Sequence, residues 1–299
     1  FGAAIAVVLF TFSPLAMFYH RTGYLDNLEI VWVLAAMVFA VSPRRSLAAA
    51  FGCAACFAVA LLTKETSLLL FPVILWLLLR TYPKGYRLWP LGMFSALCGV
   101  IVVFYPLFAL LKGELFPGKG HVSLIGGIIW QLFERAGTGS VLDSQSVSRM
   151  VLNSWMDIDP WLMLGGAVAI LPALFMRRLW PLAFGLGFQL LVMLRGGYLP
   201  LPYLIALLPF GALLIAGVID GLLKSRAFGS PSTHRAMSKW RRTLRASVAR
   251  SGVAVVAAVA LLFGVFVAQG WASSQLTMAT QNDAVHSIDA VNWAKHNIP

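Results

Sequence analysis

Three polar turns interrupt an otherwise apolar chain, and they hold the residues with the means to do chemistry. The first, FSPLAMFYHRTGYLDNLEI, sets His20, Arg21, Tyr24, Asp26 and Glu29 between two apolar runs. The second, LLTKETSLL, sets Lys64 and Glu65 between two more. The third, MLRGGYLPLPYLIALLP, carries Arg195, then Gly196 and Gly197, Pro200 and Pro202, and the hydroxyls of Tyr198 and Tyr203. The glycines permit unusual backbone geometry, the prolines break helices, and tyrosines suit a boundary between lipid and water. Ionisable groups at membrane depth are costly unless they pair or face water, so such clusters are functional candidates.

Arg21, Lys64 and Arg195, brought to one membrane face beside carboxylates, suit a substrate with an anionic phosphate and a hydroxyl-bearing group, and a lipid-linked sugar has both. Its phosphate sits at the hydrocarbon boundary, where low dielectric makes a cationic clamp effective, and the leaving phosphate gains charge during transfer. For any one of these residues, snorkelling or local Lys/Glu pairing is the competing explanation. A metal role for His20 with Asp26 or Glu29 is disfavoured, because no HExxH or paired-His spacing occurs, and no metal or other cofactor is expected. Cys53 and Cys56 have CxxC spacing, but they and Cys98 lie in apolar stretches, where small-residue helix packing outweighs zinc or redox chemistry.

The elements that must position these turns are membrane spans. Of 299 residues 60% are apolar and 11% charged, with mean hydropathy +0.82; an ordinary soluble domain has roughly 45–50% apolar and about 25% charged. The runs are helical in length and lack strand alternation, which predicts an all-α, polytopic integral membrane protein. Nine spans fit, over 1–19, 28–42, 47–63, 66–80, 88–111, 161–176, 179–194, 203–223 and 251–271. Several are short: a 16-residue helix reaches about 24 Å against a hydrocarbon core of about 30 Å, so re-entrant pairs are an alternative.

Strict alternation of these spans sorts the charges. One side gathers 15 of the 23 basic residues, among them Arg44, Arg80, Arg177 and Arg178, with Asp220 as its one acid, which marks it as cytoplasmic. Ten of the 11 acids fall on the other side, so acid–base chemistry is expected there. This distribution accounts for the net charge of +12 without nucleic acid, for which no motif is present. The long outer loop, 112–160, contains HVSLIGGIIWQLFER, too short to span and expected to lie along the interface, as an anchor or as a plug over a lipid-facing groove. The basic loop 224–250 serves as an orientation signal with affinity for anionic lipid heads. Residues 1–271 then form the transmembrane core, and 272–299 begin an extracytoplasmic C-terminal segment. The chain enters an apolar helix at Phe1 and stops just after DAVNWAKHN, so further sequence is expected at both ends.

The pieces SPLAMFYHRTGYLDN, ALLTKETSLLLFP and RGGYLPLPYLIALLPFGALLIA, in that order and on one membrane face, resemble the GT-C superfamily of polyprenyl-phosphate-sugar-dependent membrane glycosyltransferases. The resemblance is to its protein O-mannosyltransferase and aminoarabinose-transferase-like branch and covers nearly the whole chain. It implies two earlier helices enclosing a first outer loop with the acceptor-activating Asp, which has no counterpart in this chain. It also implies that Asp26 is the second outer-loop Asp near the donor phosphate, that Lys64 and Arg195 contact that phosphate, and that Arg21 and Tyr203 assist.

The function so implied is inverting transfer of a sugar from a polyprenyl-phosphate donor to a hydroxyl of a protein, glycan or lipid acceptor. It would take place on the extracytoplasmic face of a plasma membrane, bacterial in character, with membrane lipid as the other partner. Without the first loop, residues 1–299 alone are expected to be inactive. A transporter or lipid flippase is the rival reading, and a membrane scaffold a third. Ionisable groups or broken helices near midplane would favour transport, whereas the spans drawn here carry their charges mainly at their ends.

Overall fold

The computed structural model describes residues 2–118, 120–195, 197–227, 264–265, 267–276, 291–293 and 295–296. Most of the basic loop 224–250, of the ninth expected span and of the C-terminal segment lies outside the described residues. Every regular element among the described residues is helical, and they contain one isolated bridge, Gly118 to His121.

Eleven α-helices follow in order: α1 Gly2–Phe12, α2 Pro14–His20, α3 Leu25–Ala40, α4 Leu47–Thr63, α5 Phe71–Thr81, α6 Leu88–Leu111, α7 Leu124–Ile129, α8 Val147–Ile158, α9 Pro160–Leu174, α10 Trp180–Leu194 and α11 Leu204–Ala227. Two described stretches, Lys84–Leu111 and Leu201–Leu223, are long and apolar enough to cross a bilayer, and the number reaches 4 if each of two bent pairs is one span. These apolar helices are compatible with a membrane protein.

The structure redraws several expected spans. Residues 1–19 are not one rod: α1 and α2 meet at 66°. Ser13 ends α1 and caps α2, its hydroxyl accepting from the Ala16 amide, and Pro14 supplies a fixed φ at the first helical position. The span expected over 66–80 begins as a 3-10 turn, Glu65–Leu70, because Lys64 is extended and interrupts the helical path from α4. The long outer loop contains a full helix, α8, lying at 105° to α9. Asp159 makes that corner, accepting from the amides of Trp161 and Leu162, with Pro160 opening α9. The interfacial segment expected near 121–135 is α7 followed by a π-turn, Trp130–Glu134.

Helix α11 is the interior element, packed by α1, α3, α9 and α10, while α3, α4 and α6 pack in sequence beside it. The α9–α11 crossing depends on glycine: a Cβ on Gly166 would stand 2.9 Å from the Gly211 Cα. Such close backbone approach is how helices associate where lipid removes the hydrophobic drive. Helix α6 is the opposite case. It presents Val103, Phe104, Phe108 and Leu111 outward, an apolar surface suited to acyl chains.

Candidate functional site

The end of the bundle where α2 meets α3, α4 meets the 3-10 turn, and α10 meets α11 gathers the charged side chains. Asp26 stands in the first turn of α3, where the helix N-terminus favours a carboxylate. It lies on the buried stripe Asp26, Glu29, Ile30, Val33, Ala36 and Met37, whose spacing is that of one helix face. Lys64 reaches across from the end of α4, its Nζ 2.5 Å from Asp26 Oδ1. Asp26 is buried and Lys64 keeps 20% of its side-chain surface exposed, so the pair stands at a water-accessible edge.

Glu29, one turn further into α3, is 3% exposed. Its carboxylate is held by hydroxyls: Thr66 Oγ1 is 3.0 Å from both oxygens and Ser67 Oγ donates over 2.8 Å. The charges of Lys64 and Asp26 act on it as well. Glu65, next to Lys64 in sequence, is exposed. The buried carboxylate beside the ion pair is therefore Glu29, which the sequence places in the cluster without distinguishing it as a site residue. The run Thr66-Ser67 after Lys64-Glu65 is the signal, since two hydroxyls in a tight turn facing an apolar bundle need a polar partner.

Tyr203 and Arg195 complete this end. The Tyr203 hydroxyl donates to the Gln189 carbonyl on α10 over 2.8 Å. Helix α10, which leads to Arg195, packs against the 3-10 turn Glu65–Leu70, so the third turn stands near the second. Arg195 is exposed, and its guanidinium lies across Gly197, where a Cβ would stand 3.0 Å from Nε. Arg21 caps α2 with an exposed side chain on the turn leading to Asp26. His20 packs edge-on against Phe10 at 5.0 Å, and no group of three His, Cys, Asp or Glu side chains fit to hold a metal occurs among the described residues.

Asp159, another acid of this end, has a different office. Fully buried, it accepts from Ser13 Oγ at 2.5 Å, from Trp271 Nε1 at 2.9 Å and from the two amides at the start of α9. Beside it Trp155 donates to the Tyr19 hydroxyl over 3.0 Å. With both oxygens committed, Asp159 ties the break in the first span to the α8–α9 corner and does not face a ligand.

An apolar groove of about 650 Å³ lies between α5, α9 and α10, lined by apolar side chains and by none of the cluster's own residues. Leu69, Leu191 and Leu194 line its near end, close in sequence to Ser67 and Arg195, and Trp76, Leu174 and Phe184 line its far end. From Leu194 back to Phe184 the path along α10 is about 15 Å at helical rise. No family model matches the chain, and no curated protein or solved structure matches it either.

Proposed function

We propose that this chain is the membrane core of a glycosyltransferase of the GT-C type, moving a sugar from a polyprenyl phosphate to an acceptor hydroxyl outside the cytoplasm, with inversion. The observation that carries the reading is a polar cluster, Asp26 with Lys64 and Glu29 with Thr66 and Ser67, followed within the same turn by Leu69, which lines an apolar groove. A polyprenyl phosphate has that same division, an anionic head on a branched hydrocarbon tail.

In this reading the polytopic core has about nine spans. Lys64, Arg195 and Arg21 hold the donor phosphate and neutralise charge as it departs, and Asp26 orients Lys64 toward it. Tyr203 positions the head, and the groove beside Trp76 takes the first isoprene units. Activation of the acceptor hydroxyl requires a carboxylate other than the Asp26 of the ion pair.

Incubating the encoded full protein in vesicles with radiolabelled polyprenyl-phosphate sugars tests the proposal. Label moving to a protein, glycan or lipid acceptor supports it, and no transfer from any donor counts against it. A transport reading has its own observation: α1–α2 and α8–α9 are broken helix pairs, a device that transporters use at substrate sites. Substrate flux across the same vesicles without transfer would decide for it.

A further inference from the structure

We infer that Thr138 is a positioning residue for this site, fastening the outer strap 130–141 to the turn that presents Arg195. The inference rests on the proposed function for its ligand, an anionic lipid phosphate, but its geometry stands independently.

Thr138 lies in a loop far in sequence from that turn and touches it three times. Its amide and its hydroxyl both donate to the Gly197 carbonyl, over 3.3 and 3.2 Å, and the Leu199 amide donates to Thr138 Oγ1 over 2.9 Å. On its other side Thr138 is anchored to α8: its Oγ1 is 2.7 Å from Ser148 Oγ, and its carbonyl accepts from the Ser148 amide over 3.0 Å. Ser148 is 1% exposed, so the anchor is rigid and dry. A second point of the strap grips the same turn, the Arg135 guanidinium lying 3.4 Å from the centroid of Tyr198.

Residues 197, 198 and 199 are thus each held by the strap, and the Arg195 side chain rests on the first of them. Among the described residues that guanidinium makes no side-chain hydrogen bond or ion pair, and Gly197 is the group it lies against. One hydroxyl therefore controls the placement of a cation left available to an anion. Without Oγ1 the Leu199 amide, on a residue 5% exposed, loses its acceptor and the turn loosens.

The test uses the encoded full protein in lipid nanodiscs, with hydrogen exchange across 197–203 and binding of a polyprenyl phosphate as paired readouts. Thr138→Val is expected to speed exchange at Leu199 and weaken binding, each about tenfold, the scale of one lost hydrogen bond. Thr138→Ser, which keeps the hydroxyl, is expected to restore both. Gly197→Ala, which presses on Arg195 and leaves Thr138 in place, is expected to weaken binding with exchange unchanged; if Thr138→Val does not fold, wild-type exchange at Leu199 carries the test, slow exchange supporting the fastening and exchange as fast as that of an open loop amide overturning it. Unchanged exchange in Thr138→Val overturns the fastening. Faster exchange with unchanged binding overturns the positioning role. A wild-type protein that binds no polyprenyl phosphate overturns the proposed function, while the exchange comparison still decides the fastening.

Discussion

At the Asp26 end of the bundle a cation meets a carboxylate side chain, and at the opposite end cations meet mainly main-chain carbonyls. There Arg80 donates to the carbonyl of Arg177, Arg87 donates to that of Tyr82 over 3.0 Å, and Arg178 reaches the Gly217 carbonyl at 3.4 Å as well as Asp220 at 3.5 Å. The first two contacts satisfy backbone groups at a turn and a helix end, and Arg178 stands 48% exposed. The Asp26 end instead buries three carboxylates, Asp26, Glu29 and Asp159, with Glu29 held by hydroxyls rather than by a cation of its own. The arginines at one end tie elements together; the cluster at the other spends stability on a charged arrangement that packing alone does not need.

The largest effect expected is from Lys64→Ala. Removing one partner of a fully buried ion pair costs about 3–5 kcal/mol, and the 20% exposure of Lys64 places the loss below that range. Polyprenyl-phosphate binding should fall to background, while Lys64→Ala with Asp26→Leu should regain stability but not binding. Thermal unfolding and lipid binding on the same preparations check both.

Next comes Gly166→Ala, which acts at neither end. A Cβ 2.9 Å from the Gly211 Cα forces α9 and α11 apart, an overpacking cost of about 1–3 kcal/mol. The midpoint of unfolding should fall while the affinity of the folded fraction stays within about twofold of the wild type, which separates loss of fold from loss of site. The smallest effect is expected from Asp220→Asn: its Arg178 partner is half exposed and 3.5 Å away, so the loss is about 1 kcal/mol, and neither lipid binding nor transfer should change. A loss of binding there as large as that of Lys64→Ala would erase the contrast between the two ends.

The helical class and the rough places of the helices were legible because uninterrupted apolar runs leave lipid-compatible helices as the solution. The break at Ser13-Pro14 was written in the sequence as a capping residue before proline, yet the apolar residues on both sides conceal it within a single hydropathy window. Helix α8 was hidden for the opposite reason: VSRMVLNSWMDI alternates polar with apolar residues, so its mean hydropathy resembles a loop although Ser148 and Trp155 share a buried face. For the site, types and turns pointed to Asp26, Lys64 and Arg195. What they did not reveal was the direct pairing of the first two, which needs the packing of α3 on α4. Thr138 left no signal, since AGTGS has loop composition and its partners on the Arg195 turn lie about sixty residues away.

Photo-crosslinking with a polyprenyl phosphate bearing a diazirine near its head tests the central claim most directly. The account predicts labelled peptides from the Lys64–Leu70 turn and from the Leu191–Tyr203 stretch, with labelling lost in Lys64→Ala and kept in Asp220→Asn. Label concentrated instead around Arg80 and Arg178, or spread evenly over the lipid-facing surface of α6, would contradict it.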